Sequence, residues 1–159
     1  MFSIRDIFEL GEQLERNGRD FYTEALAGFQ DPRLQSLLQW LADEEVKHEE
    51  WFSRRKAALG EGEGDVMTRD MGNAILREVL GDQTFSLKDA DLSKIGQIRD
   101  LVDIALEFEK DTILFFEMIQ SFLEDPETIE GLKAIIEEER LHIRKIEEYG
   151  GVAGAPKVP

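Results

Sequence analysis

Hydrophobic residues recur at intervals of three and four along four segments of the chain, with polar residues between them. This spacing places the hydrophobic side chains on one face of an α-helix. It predicts helices over about residues 3–27, 32–59, 97–123 and 126–149. Because each of these faces needs a partner to exclude water, the pattern predicts an all-α protein, a four-helix bundle.

The connections between the helices predict how they pack. An Asp-Pro pair, at residues 31–32 and again at 125–126, opens the second and fourth helices after a tight turn, so each forms an antiparallel hairpin with the helix before it. Residues 60–96 are long enough to run the length of the bundle as one long crossover, which favours an up-down-down-up order. We expect one domain over residues 1–159 with a flexible tail at 151–159.

The two predicted hairpins repeat in sequence with an offset of 94 residues. The Asp-Pro pairs, an aromatic pair on the first and third helices, and a Glu-x-x-His motif on the second and fourth helices all match at this offset. The two histidines of the chain, His48 and His142, both belong to this motif. A duplicated half-domain without insertions explains the match.

Six ionisable residues lie within the hydrophobic faces rather than opposite them. Positions three, four or seven apart share a face of a helix. Glu15, for example, is four residues after Gly11 and seven before Tyr22. The six residues placed on these faces are Glu15, Glu45, His48, Glu109, Glu139 and His142. Four carboxylates that face one another in a low-dielectric core need protons or cations to offset their charge.

The arrangement of these six residues indicates a metal site. One glutamate from each of two helices, with a Glu-x-x-His motif from each of the other two, is the ligand set of carboxylate di-metal bundles. Two divalent ions would offset four negative charges, and the imidazoles would complete the coordination. Carboxylate and imidazole ligands accept Fe, Mn and Zn, so the residues alone leave the metal open.

The composition limits the partners. The formal net charge of −16 argues against nucleic acid or an anionic membrane as a partner. No apolar run approaches the roughly 18 residues of a membrane span, and the N-terminus lacks a signal-peptide core, so we expect a cytoplasmic protein. The 159 residues include no cysteine, which excludes iron–sulfur and rubredoxin-type sites. A redox function would therefore need electrons from an external donor.

The segments that carry these residues are ERNGRDFY, LADEEVKHEEWF, EKDTILFF and IIEEERLHIRKI. In them the chain resembles the ferritin-like superfamily, and in particular its rubrerythrin-type domains, from residue 3 to about 150. The resemblance implies that the six residues bind two irons, with Glu45 and Glu139 as bridges. It also implies redox chemistry with peroxide or dioxygen, or Fe(II) oxidation, in oxidative stress or iron metabolism. The partners that we expect are an external electron donor protein and a second copy of the chain in a homodimer.

Departures from the family pattern keep other interpretations open. Rubrerythrins carry a further glutamate one turn after the ligand of the third helix, whereas this chain has Thr112 there and Gly18 at the matching position of the first helix. The sequence therefore also fits a metal-binding or iron-delivery protein without turnover. A third interpretation is a structural bundle whose site takes zinc or nothing.

Residues beside the six candidate ligands have weaker signals. Tyr22 is a candidate catalytic residue that could hydrogen-bond a ligand carboxylate or relay electrons, although a tyrosine that only packs is the alternative. Phe116, which stands 94 residues later, cannot hydrogen-bond in the same way. We interpret Glu44 and Glu138 as part of a solvated face, with support of a metal ligand from outside as the alternative, and Trp40 as a packing or interface residue.

Overall fold

The computed structural model describes residues 4–59 and 97–151 of the chain. These residues form four helices: α1 (Ile4–Gly28), α2 (Pro32–Ala58), α3 (Ile98–Gln120) and α4 (Pro126–Gly150). They confirm the all-α four-helix fold that the hydrophobic spacing predicts. The predicted crossover at 60–96, and the tail beyond residue 151, lie outside the described residues. Among the described helices, none combines the length and the hydropathy of a membrane span.

The Asp-Pro pairs act as helix starts, as the sequence predicts. The side chain of Asp31 accepts a hydrogen bond from the backbone N–H of Leu34, and that of Asp125 accepts one from Thr128. Each proline then takes the first helical position, where a missing N–H costs nothing. At the other end of α4, Gly151 adopts a positive φ of 71°, which glycine reaches without strain.

Helix α3 ends earlier than the sequence predicts, at Gln120 rather than near residue 123. Beyond it the backbone tightens into a turn, in which the N–H of Ser121 bonds to the carbonyl of Met118 and the N–H of Phe122 bonds to that of Ile119. The hydroxyl of Ser121 also donates to the Met118 carbonyl, and it thereby competes with the helical pattern.

Aromatic contacts fix the directions of the four helices. The ring of Phe52 near the end of α2 lies 6.2 Å from that of Phe8 near the start of α1. It also lies 5.2 Å from the ring of Phe116 near the end of α3. Trp51 lies against Gly131 near the start of α4. Helices α1 and α4 therefore leave this end of the bundle, and α2 and α3 arrive at it, in the predicted up-down-down-up order.

Within the described part of the chain, the hydrophobic core forms two clusters separated along the bundle. One cluster surrounds Phe8, Phe52 and Phe116, and the other surrounds Phe21 and Leu101. On every helix, the candidate ligands separate the two clusters. The buried residues of one cluster come before the ligands in the chain, and those of the other come after them. The two clusters thus close the space around the candidate site from both ends.

Gly11 gives the first test of this packing. A Cβ added there would lie 2.6 Å from Cε1 of Phe52, whereas at Gly28 it would meet no atom within 4 Å. We expect Gly11→Ala to lower the free energy of unfolding by ~1–3 kcal/mol, because the fully buried ring has little room to move. Gly28→Ala, the matched control, should leave it unchanged or raise it by up to ~1 kcal/mol. Urea unfolding measures both, and equal effects would contradict the packing described here.

Candidate metal centre

The six candidate ligands lie in the interior of the bundle at one level. Each helix contributes from its middle, so the four helices surround the group. Exposure is 2% for His48 and 0% for the other five, which are Glu15, Glu45, Glu109, Glu139 and His142. Burial of this kind is rare for ionisable side chains unless they pair or bind a metal. The structure therefore brings together all six residues that the sequence analysis selected.

Two overlapping groups can be distinguished within the six. In each group, one ligand atom from every residue lies within 4.8 Å of the others. The first group is Glu15, Glu45, His48 and Glu139, and the second is Glu45, Glu109, Glu139 and His142. Glu45 and Glu139 belong to both groups, which is the arrangement that two bridging carboxylates require. Their role as bridges stays a prediction.

Both histidines turn the same ring nitrogen toward the carboxylates. Nδ1 of His48 lies 2.9 Å from Oε1 of Glu139 and 3.5 Å from Oε2 of Glu15. Nδ1 of His142 lies 3.0 Å from Oε2 of Glu139 and 3.4 Å from Oε1 of Glu45. The two imidazole rings are nearly parallel, with centroids 5.5 Å apart. An ion within either group would thus meet carboxylate oxygens and one imidazole nitrogen.

Most carboxylate oxygens of the cluster lack a hydrogen-bond partner among the described residues. This holds for both oxygens of Glu15, both of Glu45, and Oε2 of Glu109 and of Glu139. A buried acceptor without a partner is costly, whereas a bound cation satisfies several acceptors at once. The donor set of carboxylates and imidazoles suits Fe, Mn or Zn. The residues present therefore fit a metal centre.

Without a metal, the surroundings of three of the four carboxyl groups favour the protonated form. Burial, followed by the charges of neighbouring carboxylates, raises the pKa of Glu15, Glu45 and Glu109 well above the usual range. Burial alone would lower the pKa of His48, but Glu139 and Glu138 outweigh it and raise this pKa to about 10. A metal ion that enters the cluster must consequently displace protons.

Glu139 behaves differently from the other three carboxylates of the cluster. Burial would raise its pKa, but the neighbouring carboxyl group of Glu109 and the charges of His142 and His48 outweigh burial. They hold the pKa of Glu139 well below its usual range. Glu139 is thus the carboxylate of the cluster whose surroundings favour the anionic form, and Nδ1 of both His48 and His142 lies near its oxygens.

Tyr22 is linked directly to the cluster. Its buried hydroxyl donates a hydrogen bond of 2.5 Å to Oε1 of Glu109. Burial and the charge of Glu109 raise the pKa of Tyr22, so the hydroxyl keeps its proton. The repeat-related Phe116 lies in the core cluster that contains Phe8 and Phe52, and it has no hydroxyl. One half of the site therefore has a hydrogen-bond donor that the other half lacks, as the sequence comparison indicates.

Tyr22→Phe tests this link. We expect the metal-free variant to lose ~1–3 kcal/mol of unfolding free energy, because Oε1 of Glu109 becomes a buried acceptor without a donor. With metal bound the loss should be smaller, since the ion would then contact Glu109. Thermal unfolding in chelator and in excess Fe(II) under anaerobic conditions measures the difference. An identical loss in both conditions would contradict the proximity of Glu109 to the ion.

The two small residues one turn from the ligands are explained by packing. A Cβ at Gly18 would lie 2.9 Å from Cε1 of Phe108 and 3.3 Å from Cδ of Glu45, so glycine leaves room for the carboxylate of Glu45. Thr112 is buried, and its hydroxyl donates to the carbonyl of Phe108. Neither position supplies a carboxylate to the cluster.

Two residues outside the six contact the histidines, and sequence reasoning assigned neither contact. Glu138, which we interpreted as solvated, lies with Oε2 2.6 Å from Nε2 of His48. Trp40 packs its ring edge-on against that of His142, with centroids 5.2 Å apart. In the sequence Glu138 is one of three successive glutamates, and only its position next to Glu139 could have singled it out.

A bundle of four helices around buried carboxylates and imidazoles defines the class of protein as a ferritin-like bundle with a metal centre. A family model described as Rubrerythrin matches residues 6–149. The chain therefore belongs to the rubrerythrin family, as the resemblance of its motifs implies. Family membership and the buried Glu/His cluster together support binding of a metal, iron in the first place.

A solved structure agrees with this assignment. It is a Thermotoga maritima protein that is provisionally described as a ferritin-like diiron-carboxylate protein. The two chains are 26% identical, the match covers 92% of this chain and 93% of that one, and the TM-score is 0.71. The comparison with curated proteins gave no match.

Proposed function

We propose that this protein binds two irons in the buried cluster and carries out redox chemistry of the rubrerythrin type. Its reaction would be with peroxide or dioxygen, or the oxidation of Fe(II) itself. The observation that carries the proposal is the set of buried carboxylate oxygens without hydrogen-bond partners among residues 4–59 and 97–151, on side chains that form two groups sharing Glu45 and Glu139. Each group offers three carboxylates and one imidazole, which is the donor chemistry of non-haem iron.

The roles of the protein residues follow from their contacts. Bound ferrous iron would supply the electrons that reduce dioxygen or peroxide. Glu45 and Glu139 would serve both ions, while Glu15 with His48 and Glu109 with His142 would each serve one. Tyr22 holds Oε1 of Glu109 by its hydroxyl and leaves Oε2 free to face an ion.

The surrounding aromatic side chains would control access of water to the site. Phe52, Phe108 and Phe116 are fully buried in the two core clusters above and below the ligands. A dry surrounding strengthens the electrostatic attraction between carboxylates and cations. It also limits loss of reactive oxygen species to bulk water. Small oxidants such as peroxide and dioxygen would suit an enclosed site better than larger organic substrates.

Rapid mixing tests the redox function. The protein would be loaded with Fe(II) under anaerobic conditions and mixed with dioxygen or with peroxide, and the absorbance of ferric iron would be followed. We expect oxidation well above the rate of free Fe(II), and its loss in a variant with Glu45→Gln and Glu139→Gln. A doubly substituted variant that oxidised Fe(II) as fast as the wild type would refute the proposal.

A second candidate function is iron binding or delivery without repeated turnover. Two observations favour it. Thr112 stands where rubrerythrins have a further glutamate, and its hydroxyl is engaged with Phe108. The 159 residues also contain no cysteine for a resident rubredoxin-type site. Addition of a reductant after the first oxidation separates the two functions, because an enzyme would cycle whereas a delivery protein would release its iron or stop.

The remaining partners are part of the same proposal. Repeated turnover needs an external electron donor protein, and we propose a homodimer located in the cytoplasm. The strongly negative charge of the chain would favour a donor with a basic docking face. Sedimentation analysis tests the dimer. A change of turnover with ionic strength tests the charge of the donor.

A further inference from the structure

The two histidines of the centre differ in what holds their outer nitrogens. Nε2 of His48 lies 2.6 Å from Oε2 of Glu138, whose side chain is half exposed. Nε2 of His142 has no hydrogen-bond partner among the described residues, although the ring is fully buried. The ring of Trp40 packs nearly perpendicular to that ring. The internal duplication has thus produced two equivalent ligands with unequal support.

A sequence difference between the repeats accompanies the inequality. Glu44 stands 94 residues before Glu138, and one of its oxygens lies within 4.8 Å of a nitrogen of His142. However, Oε1 of Glu44 is held at 2.7 Å by Lys47 on the same helix. The residue that corresponds to Lys47 in the second repeat is Leu141, which cannot bind a carboxylate. Glu138 thus has no basic residue three positions later on its own helix and accepts from His48, whereas Lys47 competes for Glu44.

A carboxylate on the outer nitrogen of a metal-binding histidine has a known physical effect. It keeps the proton on that nitrogen, fixes the orientation of the ring, and makes the inner nitrogen a better ligand. Loss of such a partner typically weakens metal binding by about 10- to 100-fold. His48 has this support and presents Nδ1 to Glu15 and Glu139, whereas His142 lacks it.

We infer that Glu138 is a positioning residue for His48, and that it makes the metal position of Glu15 and His48 the tighter of two unequal positions. The inference rests on the proposed function, because it presupposes that the cluster binds two ions. It adds an order of filling: the first ion goes to the position next to His48, and the second to the position next to His142. Lys47 causes the difference in affinity between the two positions, because it binds Glu44 and so prevents Glu44 from accepting a hydrogen bond from His142.

Anaerobic calorimetric titration with Fe(II) tests the order of filling. We expect the wild type to bind in two steps of unequal affinity. Glu138→Ala should weaken the tighter step by about tenfold or more. Glu138→Gln should weaken it less, because the amide oxygen still accepts from Nε2. Glu137→Ala, the charge-matched control, removes an exposed carboxylate that pairs with Arg140 and should leave both steps unchanged.

Release of Glu44 gives the opposite test. Lys47→Leu copies the second repeat and should strengthen the weaker step. Glu44→Ala alone should have little effect, but in the Lys47→Leu background it should cancel the gain. NMR of the imidazole protons adds a readout that does not depend on iron. In the metal-free protein and in the Zn(II)-loaded protein, Glu138→Ala should shift the Nε2–H signal of His48 and leave that of His142 in place.

The outcomes separate this inference from the proposed function. A wild type that binds no Fe(II) overturns both. Two ions bound with equal affinity, or equal losses from Glu138→Ala and Glu44→Ala, overturn the inference and leave the metal centre intact. Two results together support it. In the wild-type background, the two binding steps are unequal, and substitution of Glu138 changes their affinities whereas substitution of Glu44 does not. In the Lys47→Leu background, substitution of Glu44 changes them as well.

Discussion

Fe(II) should raise the free energy of unfolding of the metal-free protein by several kcal/mol. A ligand that binds only the folded state contributes about 4 kcal/mol when its free concentration is 1,000 times the dissociation constant. The structural reason is the cluster of Glu15, Glu45, Glu109 and Glu139, in which buried carboxylate oxygens lack hydrogen-bond partners among the described residues. Without metal, the fold must keep these groups out of water at a cost, and a cation removes that cost.

The rise in the free energy of unfolding on addition of Fe(II) should be larger at pH 8 than at pH 6. The pKa values of Glu15, Glu45 and Glu109 are raised in the fold, and that of His48 is raised to about 10. Groups of this kind contribute stability fully below their unfolded pKa, and the contribution is lost as the pH rises through the folded pKa. The metal-free fold therefore weakens from pH 6 to 8, whereas ions that have replaced the protons protect the loaded fold. Glu139 has a lowered pKa, so its opposite contribution changes only at more acidic pH.

Thermal unfolding in chelator and in excess anaerobic Fe(II), at both pH values, measures this prediction. The variant with Glu45→Gln and Glu139→Gln is the control, because it should fold but gain little from Fe(II). Equal midpoints with and without Fe(II) at both pH values would favour the third interpretation, a structural bundle that takes zinc or nothing. A parallel titration with Zn(II) would then distinguish a bundle that binds zinc from one that binds no metal.

Substitution of the unshared glutamates should remove one ion at a time. Glu15 belongs only to the group of His48, and Glu109 only to the group of His142. We expect Glu15→Gln to abolish tight binding next to His48 and Glu109→Gln to abolish it next to His142. Each loss should exceed about 100-fold, the upper range for residues that only support a ligand. Both variants should fold, since glutamine has a similar volume and removes a buried ionisable group.

Stoichiometry measured by anaerobic Fe(II) titration tests this pair of variants. Each single variant should retain about one ion per chain, and the combined variant should bind none tightly. Glu49→Gln is a suitable control, because Glu49 is near this level of α2 but pairs with Arg16 and Arg19 outside the cluster. Two ions bound by both single variants would contradict the assignment of Glu15 and Glu109 to separate positions.

Much of the fold could be predicted from the sequence because the relevant signals are local and strong. Hydrophobic spacing located the four helices, and Asp31 and Asp125 marked the two starts that the structure confirms. Glu15 and its five partners could be placed together in the interior from the sequence because carboxylates on a hydrophobic face are physically anomalous, and their role as ligands stays a prediction. The offset of 94 residues then removed the ambiguity of each single motif.

Other features could not be predicted because they depend on competition between side chains. Glu44 and Glu138 occupy matching positions and look alike in sequence, yet one is held by Lys47 and the other reaches His48. The end of α3 was misplaced because Ser121 closes a turn that hydrophobic spacing does not encode. Such outcomes depend on rotamers and on backbone hydrogen bonds a few residues away.

The central claim, that the buried cluster is a two-iron site, is tested most directly by counting Fe(II) bound per chain under anaerobic conditions. The wild type should bind two ions tightly, and the variant with Glu45→Gln and Glu139→Gln should bind none tightly. A wild type without tight binding, or a variant that binds as many ions as the wild type, would contradict the claim.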